Sequence, residues 1–418
     1  MYDHQEKIIS EINNIITPTL RHRIGVSTFS KEINEMLNDF FLRISECHKL
    51  WLSNKQTIIS TLRHIKKADL FTKIESDYTN IPPELRESIE TKCEKQYSCE
   101  IVFINRRFRI FFCTTPEFDE SKILHSVRHI YTWLCFANKY IDPQCSKEVN
   151  IFLFLITDKK HIPHSHGENV NTKHANTAFT YSCLPSLNIV IYRLEEWFRT
   201  LIHETFHSFG FDFIRMGQSK ISARENEIKR VIPVNVNDLR IYETYCEMWA
   251  EILNIMFYIH ETHPPEKGKK IPIRQWRRLF SEYMFYERVF SLCQCVKILN
   301  HNKISYSTLP TQAHLYKEKT YVFSYFVLKT ILSVHLKDFL SFCAEQHRTT
   351  KKTMYSVQFR MTHLNLNKFT HLFTTLFNSP MMLYGTSVVS KYMDTYQNEL
   401  KKTHFNKNLR MTLIEIDL

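Results

Sequence analysis

Six glycines occur in 418 residues, against thirteen prolines. Tight hairpins and barrel corners draw on glycine, because glycine alone enters the left-handed backbone region without steric cost. A chain so poor in it cannot readily supply the turns of an antiparallel sandwich or barrel. The scarcity points to a mainly helical fold, built from long elements joined by few sharp turns. Hydrophobic residues make up 43% and charged residues 23%, which is globular composition with enough apolar surface for a substantial core. Aromatic residues reach 13%, so that core should be rich in Phe and Tyr. The length fits two or three domains, or one large domain with lobes.

Hydrophobic spacing divides the chain into three regions, 1–95, 96–238 and 239–418. The first is helical. Ile33, Met36, Leu37, Phe40, Phe41 and Ile44 recur at helical spacing. Ile81-Pro-Pro83 interrupts, and a second helix is expected over 83–93. The pattern changes at 100–113, where two β-like runs flank Asn105-Arg106-Arg107. A long helix over 117–140 and a buried strand over 149–157 follow. After the polar, His-rich stretch 161–174, strands are expected at 176–182 and 187–193. A helix then runs from near Leu194 to Gly210, a natural residue just past a helix end. Beyond 238 the chain reads as helical, over 239–261, 274–299, 312–346 with a break, and 354–377. The class is α+β, mostly helical, with a small mixed sheet.

The net charge is +12, which allows nucleic acid as a partner without selecting it. The basic residues are dispersed. The densest runs, Lys267-Gly-Lys-Lys270 and Arg274 to Arg278, are short and read as solvated surface. Eleven cysteines lie scattered without a CxxC pair, which reads as reduced, mostly buried thiols rather than a thiolate zinc site. The N-terminus has no apolar signal-like core. The longest strongly apolar run, near 151–156, is far below the ~20 residues of a membrane span. The expectation is a cytoplasmic protein, without membrane insertion and without classical secretion.

His203-Glu-Thr-Phe-His207 carries the chemistry. Residues four apart share one face of a helix, so two imidazoles can bind one Zn²⁺. Glu204 is then placed to take a proton from the attacking water and pass it to the leaving amine. Leu201 and Ile202 lead in, and Phe206 and Phe209 extend the apolar face. A catalytic zinc usually has a third protein ligand. The extension HExxHxxGxxH fails, because Gly210 is in place but Phe213 stands where the third His belongs. The best later donors are Glu243, Glu247 and Glu251, four apart on one helical face. The histidines at 161, 164, 166 and 174 match no tetrahedral spacing and read as solvated loop residues.

With these motifs the chain resembles the gluzincin peptidases, whose third ligand is a glutamate on a later helix. It is similar to zinc peptidases encoded by large cytoplasmic DNA viruses. The resemblance covers about a quarter of the chain, over 149–255. It implies a zincin-like fold, with a small mixed sheet packed on the HExxH helix and a helical C-terminal lobe across a cleft. It implies Glu247 as ligand with Glu251 behind His203, or else Glu243 as ligand with Glu247 behind. A later Tyr or His would stabilise the oxyanion. Tyr325 is taken for that role over Tyr321 and His314. The strand near 176–182 would pair with an extended polypeptide substrate. Glu195 and Glu196 would lie in the first turn of the HExxH helix, where the helix dipole favours acids. The implied activity is zinc-dependent peptide-bond hydrolysis in the host cytoplasm or the virion. Two rivals stand beside it: a catalytically inactive zincin-like structural or virion protein, and a basic nucleic-acid-binding protein.

Overall fold

The structure, a computed structural model, describes residues 2–25, 28–163, 165, 167–264, 271–346, 359, 361–400 and 403–416. His164, His166, the run 267–270 and most of 354–360 lie outside the described residues. The fold is α+β, 63% helical with one open mixed sheet of six strands, so the class expected from the sequence holds. No described helix is long and apolar enough to cross a membrane. The chain divides into two compact units, each discontinuous in sequence.

One unit comprises Phe40–Lys160 and Asn176–Arg215 and contains the whole sheet. Its strands are β1 (Arg63–His64), β2 (Lys95–Phe103), β3 (Arg106–Thr114), β4 (Glu148–Leu155), β5 (Ala178–Thr180) and β6 (Ser186–Ile191). They lie in the order β1-β2-β3-β4-β6-β5, with β3, β4 and β6 parallel and the outer pairings antiparallel. β4 reads EVNIFLFL and is buried on both faces from Ile151 onward, as a central parallel strand must be. Phe111, Cys113, Phe152, Phe154 and Val190 form a core with Leu70, Ile74, Leu85 and Ile89. This unit also contains the helices α1 (Lys31–Ile59, of which 40–59 belong here), α2 (Glu120–Asn138) and α3 (Trp197–Phe209). Asp119 caps α2 by accepting from the Lys122 N–H at 2.9 Å. On α3, Phe209 meets Phe108 of β3 edge to face. Trp133 of α2 stacks on Phe206 of α3, and its Nε1 donates to Thr205 Oγ1 at 2.9 Å.

The other unit comprises Met1–Asp39, His161–Ala175 and Met216–Asp417. Its described elements are helical and include α4 (Ile241–Thr262), α5 (Ile273–His301) and α6 (Lys329–Val334). An extended tail over 408–416 is buried among them. Buried backbone without a strand partner must find side chains instead. Lys297 Nζ donates to the Phe405 and Asn408 carbonyls at 2.7 and 2.8 Å. Gln294 and Asn254 donate to those of Arg410 and Ile414. The Glu287 carboxylate accepts the Leu413 and Ile414 N–H groups at 2.9 Å. His174 is buried beside Glu168, 3.5 Å away. That corrects its reading as a solvated histidine, while His161 is exposed and bridges to Asn408.

Candidate metal centre

Every residue of α3 is buried, including His203, Glu204 and His207. The helix begins later than the sequence suggested. Glu196 adopts a left-handed backbone, φ 60°, and the first turn contains no acid. Glu195 and Glu196 instead form a buried site ahead of the helix. Glu195 accepts the Lys160 N–H at 2.7 Å, and Glu196 pairs with the Lys160 ammonium. Burial drives the Lys160 pKa below its ordinary value against the pull of both glutamates.

The far end of α3 is closed by Gly210 at φ 76°, the left-handed residue that ends a helix without a Cβ penalty. The last helical carbonyls are each capped. The Cys183 N–H donates to His207 O at 3.2 Å, Ser146 Oγ to Ser208 O at 2.8 Å, and the Asp142 N–H to Phe209 O at 3.3 Å. A disulfide between Cys145 and Cys183 joins the two segments that supply these caps. The expectation of reduced thiols throughout is therefore corrected at this pair. The other nine cysteines are free.

His203 Nε2 and His207 Nε2 lie 3.2 Å apart. On the other side of its ring, His207 Nδ1 meets Asp212 Oδ2. Asp212 is fully buried, and its second oxygen accepts the Ile214 N–H at 3.1 Å. A carboxylate on Nδ1 fixes the ring tautomer and leaves the Nε2 lone pair for a ligand. The two nitrogens fit a zinc ion. Bonds of about 2.0–2.1 Å from donors at this spacing would meet at roughly 100°, near the tetrahedral angle. Glu204 is buried next to His203 in sequence, and its charge reaches Tyr192, whose hydroxyl is pushed up by burial, held back by Arg193 and pushed up further by Glu204. Sequence reading missed Asp212. The signal was present as an acid two residues after the helix-ending Gly210, in the turn that brings the chain back beside His207.

Glu243, Glu247 and Glu251 all lie on α4, and all three are buried. A solvated charged face is thereby ruled out for this helix. Glu251 is committed within its own unit, where its carboxylate pairs with Lys329 of α6 and bears on Arg288 and Glu287. Tyr325 is 7% exposed and sits in the π-helical segment Phe323–Leu328, its ring perpendicular to Tyr321 at 6.4 Å. Among the described residues, buried His, Glu, Asp and Cys side chains form groups that could hold a metal ion, and His203 and His207 belong to one of them. No family model, no curated protein and no solved structure matches this chain.

Proposed function

We propose that the protein is a zinc-dependent metallopeptidase whose ion is held by His203 and His207, with Glu243 of the later helix as the third ligand that the sequence pattern offers. The observation that carries this reading is the 3.2 Å approach of the two Nε2 atoms with Asp212 on the far nitrogen of His207. Two further features support it. A glutamate stands directly after the first ligand, where a general base is required. A three-residue strand, β5, closes one edge of the sheet, and such an edge can take an extended peptide by main-chain pairing.

Glu243 is preferred over Glu247 on chemical grounds. A ligand glutamate with an acid four residues later describes both Glu243–Glu247 and Glu247–Glu251. Glu251 pairs with Lys329, which counts against a place for it behind His203 and favours the Glu243–Glu247 alternative.

When bound, zinc supplies Lewis acidity toward the attacking water and the scissile carbonyl. Glu204 accepts a proton from that water as the new C–O bond forms. It delivers the proton to the amide nitrogen as the C–N bond breaks. His207, held by Asp212, keeps its tautomer throughout. Tyr325 is proposed as the donor to the developing oxyanion, and a π-helical turn is a recurrent setting for a functional side chain.

The test is a quenched-fluorescent peptide library incubated with wild-type protein and Glu204→Gln. The variant should keep its zinc and lose hydrolysis by a factor of at least about 10². Hydrolysis at the wild-type rate in Glu204→Gln would overturn the assignment.

A further inference from the structure

In the sheet-containing unit, α1 and α2 bring Cys47 and Cys135 together. Phe40 meets Phe136 and Trp51 meets Tyr131 across the two helices, and Cys47 and Cys135 lie between these contacts, close enough for each thiol to bear on the other. Cys47 is buried at 2% exposure, whereas Cys135 alone among the nine free cysteines is only partly buried. Arg43, one turn before Cys47, bears electrostatically on both sulfurs. Its Nε donates to the Phe136 carbonyl at 3.2 Å, which holds the guanidinium next to Cys135 along α2.

The neighbouring cysteines lack this combination. Cys93 and Cys113 also touch, but both are sealed in the core, with Cys93 Sγ donating to the Cys113 carbonyl at 3.3 Å. Cys293, Cys295 and Cys343 are fully buried, and burial pushes their thiols up. At Cys135 the hydrogen bond from Cys47 and the Arg43 charge outweigh burial and hold the thiol below its ordinary value. A partly exposed sulfur beside a cation, with a second thiol in contact, has the features of a reactive cysteine with a resolving partner.

We propose that Cys47 and Cys135 are a redox-active dithiol that closes to a disulfide on meeting a small-molecule disulfide oxidant. The Cys135 thiolate attacks one sulfur of the oxidant, forming a mixed disulfide and expelling one thiolate. Cys47 then gives up its proton and attacks the Cys135 sulfur, and the second thiolate of the oxidant leaves. Two protein thiols are oxidised by two electrons, and one oxidant disulfide is reduced to two thiols. The new bond ties α1 to α2, two residues from Trp133, which donates to Thr205 inside the HExxH motif. The proposal is independent of any metal.

Folded full-length protein, freed of reductant, is exposed to glutathione disulfide, quenched with N-ethylmaleimide and mapped by non-reducing peptide mass spectrometry. The expected product is a cross-linked Cys47–Cys135 peptide pair, about 2 Da below the sum of the two thiol peptides, with Cys293, Cys295 and Cys343 labelled as before. In Cys47→Ser, Cys135 should accumulate as the glutathione mixed disulfide, because the resolving sulfur is gone. If that variant fails to fold, the wild-type map decides alone. Maleimide on both Cys47 and Cys135, or glutathione retained on wild-type Cys135, would overturn the proposal.

Discussion

The Asp212 carboxylate is hydrogen-bonded to His207 Nδ1, and the opposite nitrogen of that ring faces His203 Nε2 at 3.2 Å. Removing the acid leaves the ring free to rotate or to change tautomer. Asp212→Ala should therefore weaken zinc binding by about 10–100-fold, measured by competition with a chelator of known affinity. An unchanged affinity would mean that Asp212 serves the turn at Ile214 and not the metal.

Substitutions on α4 separate the two candidate third ligands. Glu243→Gln should strip zinc from the purified protein, while Glu247→Gln should leave most of it in place. Metal analysis of both variants checks this, and the reverse pattern would make Glu247 the ligand.

The Cys145–Cys183 disulfide closes a loop of 38 residues and ties together the segments that cap α3. Cys145→Ala/Cys183→Ala should lower stability by about 2–4 kcal/mol, read as a lower urea midpoint. Zinc affinity should fall with it, because the Cys183 N–H caps the His207 carbonyl. A double variant as stable as wild type would show that the hydrogen bonds alone hold the helix end.

Glu287 gives a pH dependence with a definite sign. Burial, then the nearby Glu251 charge, raise its carboxyl to about 7 from an ordinary 4.5, against Lys329, Thr412 and Leu413. Between those values the folded protein holds a proton that the unfolded chain has released. Stability from this group is fully present below pH 4.5 and is lost as pH rises through 7. Glu287→Gln cannot ionise, so its urea midpoint should be flatter between pH 5 and 7.5 than that of wild type. An equal slope in both proteins would remove Glu287 as its source.

Much of this was legible in the residues, for reasons that can be named. β4 announced itself because a strand buried on both faces must be continuously apolar. The end of α3 was fixed by Gly210, which takes the left-handed conformation there at φ 76°. The start of α3 was misplaced, because Glu196 is left-handed without being glycine and only the buried Lys160 pair explains why an acid is held there. The position of Asp212 just past Gly210 was legible, but its pairing with His207 and the Cys145–Cys183 bond were not. Both depend on where turns return the chain, and spacing along the sequence carries no record of that. The tail over 408–416 was hidden for a related reason: its backbone is satisfied by side chains of Glu287, Gln294 and Lys297, which periodicity cannot reveal.

We propose, above all, that His203 and His207 hold a metal ion. The most direct test is elemental analysis of full-length protein purified without chelators, beside His203→Ala and His207→Ala. Wild type should carry about one zinc per chain, and each variant should lose nearly all of it. Wild-type protein with no bound metal, or variants that retain zinc at the wild-type level, would contradict it.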